Sequence, residues 1–120
     1  MNTCASVQYY SRLFSVLPFF KGIHIEGVHG QLKPKKREKV FQNFFKSKSG
    51  VLVTTDVAAR GIDFERVDQI IQIDPPEVPE QLVHRIGRTA RVNRPGKALL
   101  MLEEHEICFV EYLSGINIPM

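Results

Sequence analysis

Apolar residues along this chain recur in two alternating rhythms, and the alternation predicts the elements. Val7, Tyr10, Phe14 and Leu17 stand at i, i+3, i+7 and i+10, the spacing of one helical face, so a helix is expected over residues 4–17, capped by Asn2-Thr3 and stopped by Pro18. Residues 23–28 read as a strand, and His29-Gly30 as the turn that follows. Pro34 opens a second helix at the position where its missing N–H costs nothing. That helix is expected to turn Val40, Phe41, Phe44 and Phe45 inward and to stop near Lys48-Ser49-Gly50. Short apolar runs at 51–54 and 69–73 predict two more strands, the second halted by Asp74-Pro75-Pro76. A helix over 79–90, a strand over 98–102 and a helix over 105–114 complete the order. Strands that are apolar throughout and alternate with helices imply an α/β fold, a parallel sheet with helices on both faces. Ligands of such sheets bind at the carboxyl ends of the strands, which singles out the loops after Val28 and Thr54 and the segment leading into the helix at 79–90.

Composition adds limits. At 120 residues and 43% hydrophobic content, with eight Phe, the chain suits one small domain over 1–120 with a real core. Its net charge of +3 does not announce nucleic acid, but the charges are polarised. Lys33, Lys35, Lys36, Arg37, Lys39, Lys46 and Lys48 crowd one region, while Glu103, Glu104, Glu106 and Glu111 gather near the end. Cys4 and Cys108 are isolated and sit at no metal-ligand spacing, so they read as reduced thiols of an intracellular protein, with no metal expected. No apolar run approaches the roughly 18 residues of a membrane span and no signal-peptide pattern opens the chain, so no membrane partner is expected.

Three stretches carry candidate chemistry. Lys33, Lys35, Lys36 and Arg37 occupy a first helical turn, where the macrodipole disfavours cations. Either a phosphate backbone compensates them or they form a solvated, mobile cluster. The run Thr55-Asp56-Val57-Ala58-Ala59-Arg60-Gly61-Ile62-Asp63 leaves a buried strand with hydroxyls, two carboxylates, small residues and an Arg-Gly pair. Carboxylates accept from ribose hydroxyls, and Thr55, Arg60 and the backbone at Gly61 can donate to phosphate. Asp56 is equally explained as a helix cap. Finally, His84-Arg85-Ile86-Gly87-Arg88-Thr89-Ala90-Arg91 places His84, Arg88 and Arg91 on one helical stripe, with Ile86, Thr89 and Ala90 facing away. That stripe is either a solvated basic face or a row of guanidiniums for an anion. His24 and His105 are given no role.

The second and third stretches together resemble the fifth and sixth motifs of the DEAD-box RNA helicases of superfamily 2. Asn2-Thr3 resembles the end of the fourth motif, and His29-Gly30 through Arg37 the segment after it, so the likeness runs nearly from end to end. It implies a RecA-like helicase C-terminal domain. By the same resemblance, Arg88 and Arg91 act as arginine fingers toward the γ-phosphate of ATP, Asp63 contacts the ribose, Gly61 lies at the nucleotide, and His84 links to the partner domain. Asn2, Thr3, His29, Gly30, Thr55, Asp56, Arg60 and Gly61 would lie along the RNA backbone. ATP would be shared with an N-terminal RecA-like domain that also holds Mg²⁺. Asn2-Thr3-Cys4-Ala5 before Tyr9-Tyr10, with Gln72-Ile73-Asp74-Pro75-Pro76 and the ending Gly87-Arg88-Thr89-Ala90-Arg91, is similar to members that remodel pre-ribosomal RNA, which implies pre-ribosomal particles as partners and a nuclear or nucleolar place.

The chain also departs from the family. Pro34 stands where members often have Gln, and Ala90 where many have Gly. It contains no G-x-x-x-x-G-K-[ST] loop and no Asp-Glu-Ala-Asp, so it is expected to be part of a larger enzyme, beginning at the end of a buried strand, and inactive alone. The competing expectation is a non-catalytic RNA- or protein-binding module that retains the fold.

Overall fold

The computed structural model describes residues 3–56, 67–76, 78–86, 96–116 and 118. They fall into two compact units, Met1–Ile62 and Asp63–Met120.

In the first unit, α1 (Cys4–Val16) begins at Thr3, whose hydroxyl accepts from the Ser6 amide at 3.0 Å, and gives way at Pro18 to a 3₁₀ turn (Pro18–Phe20). Val7 is fully buried, and an aromatic chain from Tyr10 through Phe14 to Phe20 runs along the helix and into the turn at centroid separations of 5.8 and 5.0 Å. Gly22, at φ 85°, takes the left-handed conformation that lets the backbone reverse into β1 (His24–Val28). After the loop at 29–33 come α2 (Pro34–Lys46), with Pro at its first turn as expected, and β2 (Gly50–Thr54). β1 and β2 pair in parallel, His24 opposite Gly50 through to Val28 opposite Thr54. Neighbouring strand residues point to opposite faces. The bare face of Gly27 meets Ser11 and Val7 of α1, while the carboxylate of Glu26 accepts from Asn43 of α2 at 3.4 Å. The two helices therefore cover opposite faces of the pair.

Gly27 is required for that approach. A Cβ built there would lie 2.8 Å from Ser11 Oγ and 3.1 Å from Ser11 Cβ, closer than side chains pack. Gly27→Ala is expected to destabilise the chain by about 1–3 kcal/mol, the ordinary cost of overpacking. Ser11→Ala, which removes the nearest atom, should recover part of that loss in the double variant. Thermal melting of the two single variants and the double checks it, and simple additivity would deny the contact.

The second unit contains β3 (Gln69–Gln72), α3 (Pro79–Ile86), β4 (Lys97–Leu100), a 3₁₀ turn at Glu104–Glu106 and α4 (Cys108–Gly115). β3 and β4 are parallel, Gln69 opposite Lys97 through to Gln72 opposite Leu100. Leu82 and Leu113 are its fully buried side chains among the described residues. The fold class is α/β with parallel strands, as the apolar runs indicated.

Three details differ from the sequence expectation. Phe45, expected inward, is 38% exposed and leans on Phe41 and Phe44 at centroid separations of 6.5 and 5.6 Å, while Phe44 is the ring that meets β2 at Gly50. The last strand begins at Lys97 and ends at Leu100. The last helix begins at Cys108, because Glu106 accepts from the Glu103 amide at 2.9 Å and closes a separate turn ahead of it. The expected 79–90 helix is present from Pro79 to Ile86, and residues 87–90 lie outside the described residues.

Candidate functional site

Parallel pairing puts the carboxyl ends of β1 and β2 on one edge, and the first two candidate loops leave from it. The junction is tied by the Thr55 amide, which donates to the Val28 carbonyl at 3.3 Å. His29 and Thr55, the first residue after each strand, are each only 5% exposed. Gln8 of α1 lies 3.2 Å from His29 Nε2 through its amide nitrogen. An amide nitrogen only donates, so in this pairing Nε2 is the acceptor. His29 Nδ1 and the Thr55 hydroxyl are both buried without a hydrogen-bond partner among the described residues. Orphaned polar atoms are costly in a core, by about 1–3 kcal/mol each, and each of these two follows the last residue of one of two paired strands. At His29 opens a cleft of about 220 Å³ lined in part by Gln8, Ser11, Glu26, Leu32 and Lys36.

The loop after β1 is held from below. Arg37 of α2 folds back so that Nη2 donates to the carbonyls of Gly30 at 3.2 Å and Leu32 at 3.4 Å. This changes the reading of the basic cluster: Arg37 is a half-buried strut for the turn, whereas Lys33, Lys35, Lys36 and Lys39 stay exposed. Lys33 precedes the helix with no side-chain cap, Pro34 brings no N–H, and the Lys36 and Arg37 amides both donate to the Lys33 carbonyl, at 2.9 and 3.0 Å, so what this turn offers outward is the lysine ammonium groups.

The structure brings together, of the residues named from the sequence, His29, Gly30, Thr55 and Asp56 at this edge. Gly30 is exposed, and Asp56 is half-buried and engaged by a neighbour. Thr3 is exposed at the start of α1 with its hydroxyl shared between the Ser6 amide and the Ser6 hydroxyl, at 3.0 and 2.8 Å. His84, in the second unit, is exposed on α3. Asn2, Arg60, Gly61, Asp63, Arg88 and Arg91 lie outside the described residues.

Sequence reasoning missed the supporting residues. Arg37 and Arg85 were read as members of basic runs, yet both spend their guanidiniums on carbonyl and amide oxygens within the chain. Gln8 and Gln72 carry no pattern at all; only the packing reveals them.

The profile of the helicase conserved C-terminal domain matches residues 1–93. DEAD-box ATP-dependent RNA helicase 18 of Arabidopsis thaliana is 42% identical over 118 residues, covering 98% of this chain and 20% of that protein. ATP-dependent RNA helicase HAS1 of Lodderomyces elongisporus is 42% identical over 121 residues, covering 100% of this chain and 21% of that protein. The chain thus spans about a fifth of the length of these curated relatives. Among solved structures, domain 2 of the DEAD-box helicase Mss116p, determined with an RNA duplex, superposes with a TM-score of 0.78 at 40% identity, covering 93% of this chain and 45% of that one.

Proposed function

Because the chain belongs to the helicase conserved C-terminal domain family and is a DEAD-box RecA-like module, we propose that it forms the ATP-closing, RNA-holding half of an ATP-dependent RNA helicase. The observation that supports the reading best is the pair of orphaned polar atoms, His29 Nδ1 and Thr55 Oγ1, at the carboxyl edge of adjacent parallel strands. In this reading RNA phosphates satisfy them. Gly30 and Thr3, with Asn2, Asp56, Arg60 and Gly61, continue the track along the backbone, and the exposed lysines before and within α2 supply charge. Contacts of this kind recognise a phosphate chain and not its sequence.

On the nucleotide side, Asp63 and the backbone at Gly61 hold the ribose end of ATP. Arg88 and Arg91 neutralise charge that develops on the γ-phosphoryl group, and His84 contacts the opposing domain. Phosphoryl transfer needs little covalent help from the protein, so positioned charge is the main contribution this half makes. The phosphate-cradling loop, the catalytic base and the carboxylates for Mg²⁺ belong to the N-terminal RecA-like domain. The likeness of Asn2–Ala5 and of 72–76 to helicases of pre-ribosomal RNA favours pre-ribosomal particles as the setting and the nucleolus as the place.

The segment alone is expected to hydrolyse no ATP, since it contributes fingers without base, lysine or metal site. Joining it to the upstream domain of its own protein should yield RNA-stimulated turnover. Steady-state hydrolysis by purified residues 1–120, unaffected by further purification, would defeat the half-site reading. Absence of turnover in the joined protein would leave a binding module.

A further inference from the structure

The second unit contains a polar anchor that none of the motif roles requires. Arg85 is half-buried, and its Nη1 donates to Gln72 Oε1 at 3.0 Å and to the Asp74 carbonyl at 3.1 Å. Gln72, the last residue of β3, is 5% exposed, and its Nε2 has no partner among the described residues. One guanidinium therefore ties α3 to the carboxyl end of β3, at the cost of leaving half of a buried amide unsatisfied.

The geometry of the helix gives this tie a consequence. At about 100° per residue, Leu82 and Arg85 lie 60° apart on one face, while His84 lies 160° from Leu82. Leu82 is fully buried and His84 exposed, as that rotation requires. Leu82 alone would fix the height of α3 on the sheet and leave its rotation soft, because one apolar side chain gives a non-directional contact. Two directed hydrogen bonds from Arg85 remove that freedom.

We propose that Arg85 is a positioning residue that sets the rotation of α3, through Gln72 and the Asp74 carbonyl, and thereby the direction in which His84 is presented to the opposing domain. The proposal rests on the helicase reading above for what is aimed, and on the Arg85 contacts for how. Arg85 itself touches no reacting atom. A misplacement of about 1 Å in a positioned group costs on the order of 10²-fold in rate, so a soft α3 would be visible in turnover long before it is visible in folding.

Gln72→Leu separates the two effects. It removes the acceptor together with the orphaned amide nitrogen, and replacing a half-satisfied polar group by an apolar one of similar shape is nearly neutral for stability. Arg85→Lys keeps the charge and loses the planar fork. In the joined enzyme, both variants are expected to lower kcat on the order of 10²-fold while KM for ATP stays within about twofold, as befits an interaction used only in the transition state. The melting temperature of Gln72→Leu should hold. Because Gln72→Leu removes one of the two bonds that Arg85→Lys disturbs, the double variant should be no slower than Arg85→Lys alone. Amide exchange across residues 80–91, which needs no activity, should accelerate in both variants while α1 and α2 keep their protection. Unchanged exchange overturns the anchor. Accelerated exchange with full turnover in both variants, beside an inactive Arg88→Ala control, overturns the positioning role. A joined enzyme that hydrolyses no ATP instead overturns the helicase reading, and the exchange measurement then decides the anchor by itself.

Discussion

Replacing Arg88 or Arg91 by alanine in the joined enzyme is expected to lower ATP turnover on the order of 10³-fold, the low end of what an arginine finger supplies. The stability of the chain should hardly change. The reason lies in helical period combined with the described start of α3. Leu82 points into the core and His84 into solvent. In the sequence, Arg88 and Arg91 stand at i+4 and i+7 from His84, the spacing of one helical stripe, which is the expectation this prediction tests. Truncating side chains on that side removes no core contact, while it removes charge stabilisation that exists only when the two domains close over ATP. Arg→Lys at either position should rescue little, because an ammonium cannot reproduce a two-pronged contact with phosphoryl oxygens. Turnover and thermal melting of each variant, measured side by side, decide the matter. Full activity in both alanine variants would return the stripe to a solvated basic face.

The elements were legible because each has a local cause. Pro18 and Pro34 punctuate α1 and α2, Thr3 caps the first of them, and the short strands that alternate with these helices announce parallel pairing. The carboxyl-edge loops followed from that topology, and His29 and Thr55 do stand there together. What stayed hidden was long-range and polar. Whether Arg37 meets RNA or the Gly30 carbonyl depends on the path of a turn seven residues away, and nothing in a lysine-rich run distinguishes the one arginine that folds inward. Arg85 sits in a run of cations beginning with the exposed His84, so sequence counts it among them although packing turns it toward Gln72. The exposure of Phe45 was illegible for a related reason: periodicity tells which side of a helix is apolar, and not which of two adjacent rings, Phe44 or Phe45, takes the place against the strand.

Binding of single-stranded RNA by this half is expected to weaken about 10²-fold as salt rises from about 50 to about 200 mM, with little preference among sequences. The magnitude follows from counterion release. About five cations on phosphates give a slope near −3.5 on a logarithmic salt axis for a single strand. Lys33, Lys35, Lys36 and Lys39 are exposed and provide four, and Arg60 is the fifth in the proposed track. The two classes of contact then separate cleanly. Lys35→Ala with Lys36→Ala should flatten the slope by about 1.4, because each lost cation releases fewer counterions. Thr55→Val removes a neutral donor, so it should weaken binding by a similar factor at every salt concentration and leave the slope alone. Titrations of labelled homopolymers across a salt series measure both quantities. An affinity that barely moves with salt would mean that aromatic stacking holds the strand, or that this edge meets no RNA, and a slope altered by Thr55→Val would mean that the variant had disturbed the loop carrying the lysines. The polar edge is confirmed as a phosphate track only when lysines govern the slope and Thr55 governs the intercept.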